Sequence, residues 1–400
     1  MDHMPNSPQK SGTTFFRTCF NGVNALSGVG ILSIPYALAQ GGWVSLVLLL
    51  LLAVICYYTG LLLQKCMDSN SLVKTYPDIG ELAFGQKGRI IVATAMYLEL
   101  YFAAINFLIL EGDNMEKLFQ KTEFNIAGLK IGGKQGFVLI TSIVVLPTTW
   151  LRSLSMLAYM ALGGVLASLI LMVAVLWAAM FNGVGFHAKG IAFNWKGVPT
   201  AASLYAFCFS GHSVFPTIYN SMQNPTKFSK VLLYCFAVCT LNYAFMAVVG
   251  YLMYGQDIKS QITLNLPNGK LSTNIAIYTT LINPLMKYAL IVMPISNAIE
   301  EWFQFSKFRL FSILIRTILV ISTTVVALSV PFFAEVVALT GSLLSSSATM
   351  VLPCLCYLKI TKTYKTLGFH SIACVLIVVI GVLIAIFGTY SSLRNIAESL

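Results

Sequence analysis

Charge is what this 400-residue chain has least of. Only 10% of its residues are Asp, Glu, Lys or Arg, against about 25% in an average soluble domain, and that scarcity excludes a water-facing surface over most of the molecule. No long loop carries cysteine: the nine thiols sit within apolar runs or at their edges. They read as small packing residues, and a disulfide framework is excluded. No Cys/His set has metal-ligand spacing, and no Gly-rich run stands between a strand and a helix. Neither a nucleophile–base pair nor a metal set falls at one depth, so the chain is not expected to be an enzyme or to need a cofactor. The net charge of +11 is dispersed among loops, which argues against a nucleic-acid partner. No cleavable signal peptide is expected, because the first seventeen residues are polar and hold Pro5 and Pro8.

What fills the chain is apolar sequence, 57% of all residues. Runs of about eighteen or more apolar residues recur along its length, which predicts an all-α polytopic membrane protein with the bilayer as its surroundings. Eleven spans are expected, at 18–38, 43–66, 90–111, 136–149, 153–180, 198–221, 229–254, 274–297, 308–330, 332–358 and 369–391. The run 136–149 is short for a crossing, and a dip into one leaflet is the alternative there. An N-terminus in the cytosol puts fourteen basic loop residues inside and nine outside. Four of the nine fall in the long 112–135 loop, where the excess counts least. The C-terminus then lies on the lumenal or extracellular side. Trp43, Trp150, Trp195 and Trp302 stand at span ends, as an aromatic belt requires.

Two spans are broken in the middle by small, helix-averse residues: SGVGILSIPYA over 27–37 and FSGHSVFP over 209–216. A membrane helix keeps its backbone hydrogen bonds internal, and irregular backbone at mid-depth survives only against protein or a cavity. After a tail over 1–17, the spans divide into five-helix halves, 18–180 and 198–358, with an eleventh helix over 369–391. Five is odd, so the halves have inverted topology, and each broken span opens one half. That pattern points to a transporter site near the midplane.

Asn21, Asn24 and Ser27 share a face of the first span, after which Gly28, Val29 and Gly30 open the helix and Pro35 removes a donor. Free N–H groups beyond the break suit a carboxylate, and free carbonyls before it suit an ammonium or a small cation. A zwitterion satisfies both. The alternative is that the glycines only admit close helix packing. In the sixth span Ser210 and Gly211 loosen the helix, and Phe207 with Phe209 could cover a side chain. His212 could bond substrate or carry a proton, its unperturbed pKa being about 6.5, or could make a structural interhelical bond.

Lys287 lies close to mid-depth in the eighth span and forms one stripe with Thr280 and Asn283. A charge at a membrane-helix centre costs roughly 3 kcal/mol or more and marks ion or proton pathways. A fixed charge in place of a bound cation and a structural pairing are the other readings. Glu99, which shares a face with Asn106, is the nearest chemical type to a proton carrier. Glu335 stands near the outer end of its span, and Arg316 is expected to snorkel from its span end.

The runs NGVNALSGVGILSIPYALAQGGW (21–43), YPDIGELAFG (76–85), YAFCFSGHSVFPTIYNSM (205–222) and INPLMKYAL (282–290) resemble the signatures of the amino acid/auxin permease family. They are most similar to its plant and fungal vacuolar branch. The resemblance covers the chain from about residue 13. It implies a LeuT-type 5+5 inverted repeat with unwound first and sixth helices and proton-coupled amino acid transport; a monomer is expected. The family's substrate contacts fall here on Ser27, Gly28, Val29, Gly30, Phe207, Ser210, Gly211 and His212, with Asn24 beside them. Lys287, Asn283, Thr280 and Glu99 are the candidates for ion coupling. Vacuolar members often have a long acidic N-terminal extension, which leaves the vacuolar and plasma membranes both open. An auxin or organic-acid carrier, or a sensor with weak transport, are the competing functions.

Overall fold

The computed structural model describes residues 12–120, 122–126, 129–150, 157–303, 309–365 and 368–399. Most of the tail expected over 1–17, the start of the 153–180 span and the basic residues Arg152 and Lys307 therefore lie outside the described residues. The chain runs α1 (Phe15–Leu26), α2 (Ile34–Gly41), α3 (Ser45–Ser69), α4 (Tyr76–Leu118), β1 (Phe124–Ile126), β2 (Leu129–Ile131), α5 (Gly133–Thr149) and α6 (Leu157–Phe181). It continues with α7 (Val198–Cys208), α8 (Phe215–Ser221), α9 (Phe228–Tyr254), α10 (Leu271–Trp302) and α11 (Arg309–Ser329). The last elements are α12 (Phe333–Leu339), α13 (Leu352–Thr361) and α14 (Phe369–Ser399).

Among the described residues, eight helical runs are long and apolar enough to cross a membrane: α3, α4, Gly163–Phe181 of α6, α9, α10, α11, Phe333–Thr361 and α14. The other three expected spans are the two broken ones, α1 with α2 and α7 with α8, and α5, which has 17 residues and is about 25 Å long. Apolar side chains turn outward in helical steps along α14, where Ile372, Val375, Leu376, Val379, Leu383 and Ile386 are exposed. A soluble helix would bury that stripe, so this face is built for lipid. The chain is a multi-pass membrane protein.

The YPDIGELAFG run forms the start of α4. Thr75 and Asp78 make a reciprocal capping box there, and Gly85 takes a φ of 67° that ends one helical stretch and begins the next. Gly80 and Gly88 let the two stretches meet, since a Cβ at either would overlap the other's carbonyl. Arg89 pairs with Asp78 and Glu81 across the bend. At its far end α4 continues into the expected 112–135 loop. The remainder of that loop holds the β1–β2 hairpin, paired in register Phe124 with Ile131.

The 332–358 span is not one regular helix. Residues Thr340–Ser345 and Ser347–Val351 have π-helical bonding. Thr340, Ser346, Ser347 and Thr349 each donate to the carbonyl four residues back, which loosens the ladder. Gly341 presses on the Ser203 carbonyl, leaving no room for a side chain. Arg316 departs from the snorkelling expectation. It is buried, donating from Nη1 to the Thr149 carbonyl at 2.7 Å, and its Nε lies 3.5 Å from Glu300 Oε1. A carboxylate at the same depth makes the journey to the interface unnecessary. The nine cysteines are all free.

Candidate substrate and coupling site

The helix of α1 stops at Leu26. Ser27 (φ −78°, ψ 79°) and Gly28 (φ −96°, ψ −162°) are non-helical, a 3-10 turn covers Val29–Leu32, and α2 resumes at Ile34. Pro35 sits in the first turn of α2, where its missing N–H breaks no bond. In the sixth span α7 stops at Cys208, Gly211 takes φ −158° and ψ 0°, a 3-10 turn covers His212–Val214, and α8 begins at Phe215. Pro216 occupies the matching first-turn position.

The two interruptions touch. A Cβ on Gly30 would lie 2.6 Å from Cys208 Sγ and 3.3 Å from the Phe207 ring, and one on Gly211 would lie 2.8 Å from Leu26. Gly30 and Gly211 are therefore small for close packing. Gly28 differs, having nothing within 4 Å of its Cβ position. One buried hydroxyl closes both helix ends: Tyr243 of α9 donates to the Leu26 carbonyl at 2.6 Å and the Cys208 carbonyl at 3.1 Å. These are the last residues of α1 and α7, so one hydroxyl serves both helix ends, and the Leu26 carbonyl also accepts from the Gly28 N–H at 2.9 Å.

Gly28 opens into a narrow cleft between the interruption after α1, α6 and α10. Its walls include Gly28, Val29, Ser168, Thr280 and Asn283. Ser27 and Ser168 bond across its edge at 2.8 Å. One turn further along α10 stands the half-buried Lys287, whose Nζ donates to the Asn24 carbonyl at 3.3 Å. The ammonium thus binds the carbonyl end of α1, where the helix dipole favours a cation. Asn24 Oδ1 and Thr280 Oγ1 are buried without a partner. Gly164 of α6 makes room for the Asn24 side chain, which a Cβ there would strike.

The remaining candidates lie on the other side of the second interruption. Glu99 Oε1 accepts from Ser210 Oγ at 2.5 Å and from Ser345 Oγ at 2.6 Å. The carboxyl thereby joins α4, the opened backbone after α7 and the π-helical segment. His212 is fully buried and directed at α3. Its Nε2–H donates to the Cys56 carbonyl at 3.1 Å and lies 2.9 Å from Thr59 Oγ1, while Nδ1 has no partner. The four coupling candidates therefore occupy two places, with Lys287, Asn283 and Thr280 beside the first interruption and Glu99 beside the second.

Sequence reasoning missed Tyr243, Ser168 and Ser345. Tyr243 carried a usable signal, since a tyrosine far inside an apolar span must find a hydroxyl partner. Ser345 stands in a run of three serines, and only the π-helical winding selects which of them meets Glu99.

Comparison with known proteins bears on what this arrangement belongs to. A family model described as transmembrane amino acid transporter protein matches residues 11–394. Two Arabidopsis thaliana proteins are strongly similar. Amino acid transporter AVT1I is 51% identical over 97% of this chain and 96% of its own length. Amino acid transporter AVT1J is 48% identical over 98% and 93%. Among solved structures, the nucleobase-cation-symport-1 family transporter MHP1, closed around bromovinylhydantoin, superposes with a TM-score of 0.54. That match covers 100% of this chain and 96% of the other at 12% identity, so it speaks to the fold alone, which is LeuT-like. With the model matching nearly end to end and relatives at about half identity, the chain belongs to the transmembrane amino acid transporter protein family.

Proposed function

We propose that this protein is a secondary transporter that carries amino acids across a membrane with protons. It alternates access by moving its two five-helix halves, 18–180 and 198–358, around the interrupted helices. The observation that carries the reading is the meeting of two broken helix ends beside an ammonium. The first-turn N–H groups of the resumed segments offer donors to a carboxylate, and the carbonyl ends of α1 and α7 offer acceptors to an amine. Both carbonyl ends already accept, from Tyr243 and Lys287, so an arriving amine would compete with a hydroxyl and an ammonium. Lys287 stands where a mobile cation would otherwise neutralise the end of α1, which supports coupling to protons rather than to a metal cation. Glu99, held by two hydroxyls, is the proton carrier in this reading. The names of the relatives support amino acids as cargo. With the N-terminus cytosolic, the face opposite it is lumenal, and the membrane is that of the vacuole.

The test is reconstitution of the full chain in liposomes with an imposed pH gradient and a screen of labelled amino acids. Accumulation above an ionophore-treated control is expected for at least one amino acid. Accumulation of none would reject the reading.

A further inference from the structure

The half of α4 beyond Glu99 carries polar groups that no contact described so far employs. Asn106 is fully buried, and neither its Oδ1 nor its Nδ2 has a hydrogen-bond partner. Glu111 is 1% exposed with both carboxylate oxygens unpartnered, and Asn114 Oδ1 and the Thr263 hydroxyl are in the same condition. An unmet buried polar atom costs about 1–3 kcal/mol, and native interiors relieve that with ordered water. An amide with both ends unmet can hold water both as a donor and as an acceptor.

Spacing gives the group a direction. Glu99, Asn106 and Asp113 follow at seven-residue steps, so each is two turns from the next on one face of α4, about 10 Å apart. Glu99 is the inner end, bonded to Ser210 and Ser345. Asp113 is the outer end, its side chain 10% exposed. It pairs there with Lys134 of α5 and accepts from Gln261 Nε2 at 2.8 Å. Gln261 is tied back to α4 by Asn114 Nδ2 at 2.6 Å. A solvent-reached carboxylate, an unpartnered buried amide and a buried carboxylate thus lie in file.

We infer that Asp113 and Asn106, with ordered water between them, are a proton entry path along α4 to Glu99. The inference rests on the proton-coupled reading above. A proton from the face opposite the N-terminus adds to the Asp113 carboxylate in place of its pairing with Lys134, whose Nζ keeps the Pro331 carbonyl. It passes between waters anchored by Asn106, each transfer making one O–H bond and breaking one, and ends on the Glu99 carboxylate. The elements packed on α4 carry Lys134 in α5, Glu335 in α12, Lys287 in α10 and Arg316 in α11, and α4 itself carries Glu111, Glu116 and Lys117. Lys117 donates to the Leu264 and Leu266 carbonyls, Lys287 to Asn24, and Arg316 pairs with Glu300. His212, in the 3-10 turn packed on α4, is bonded to α3.

The test separates proton-driven accumulation from exchange. Proteoliposomes holding an equimolar mixture of labelled amino acids are assayed for uptake under a pH gradient and for counterflow at equal pH. In Asn106→Leu, gradient-driven uptake should fall about a hundredfold, the low end of what losing a proton-transfer group costs. Its counterflow should stay within about twofold of wild type. Asn106→Asp, which keeps a polar relay, should retain gradient-driven uptake. Wild-type gradient-driven uptake in Asn106→Leu overturns the path, as does equal loss of both activities in a monodisperse protein. If Asn106→Leu does not fold, near-isosteric Asp113→Asn carries the same expectation and the same refutation. Absence of counterflow in the wild type would instead reject amino acid transport itself.

Discussion

Lys287 and Tyr243 solve the same problem, an open helix end far from water, with different chemistry. Lys287 sends a fixed charge to the Asn24 carbonyl, and Tyr243 splits one hydroxyl between Leu26 and Cys208. The lysine was legible in the sequence because a charge inside an apolar run is expensive and so conspicuous. That the tyrosine needed a partner was legible too, but which one was not, because its targets are backbone carbonyls, which every residue has and no letter marks. Arg316 shows the opposite error. Its depth suggested snorkelling, but Glu300, near the end of the preceding helix α10, holds it inside. For Lys287 the prediction is a split between activities. Lys287→Met should lose most pH-gradient-driven uptake while counterflow of the same amino acids persists, because the methionine fills the volume but supplies no charge. Unchanged pH dependence of uptake would remove Lys287 from coupling.

At the scale of elements, the interruptions were readable from Gly, Ser and Pro, whose backbone preferences are local. Their contact with each other was only partly readable. Gly28 and Gly30 looked alike in sequence, yet one faces the cleft and the other lies against Cys208 and Phe207. Substitution separates them. Gly30→Val should overpack the crossing of the two interruptions, destabilising the protein by about 1–3 kcal/mol and lowering its melting temperature in detergent. Gly28→Ala, with open space before it, should leave the melting temperature unchanged. Equal melting temperatures for Gly30→Val and wild type would mean that the two interruptions do not pack as described. The π-helical winding of 340–351 was hidden, since serine-rich apolar sequence also forms ordinary membrane helices. It matters because it delivers Ser345 to Glu99.

For the whole molecule, hydropathy and turn length located the spans, because lipid imposes the same length on each. Hydropathy could not divide the coupling candidates between two places. That division comes from α10 packing on α6 and reaching α1 through Lys287, while Glu99 of α4 reaches the opened end of α7, bonds between residues more than a hundred positions apart. The resulting account has two titratable centres, one beside each broken helix, around a site for a zwitterion. Its central claim is that amino acid and proton move together. The direct measurement uses liposomes with the protein, a pH-sensitive dye inside, equal pH on both sides and the voltage held at zero by potassium and valinomycin. An amino acid gradient imposed across that membrane should change the internal pH in proportion to amino acid uptake, with no change in protein-free liposomes. Amino acid uptake with a constant internal pH would contradict the account.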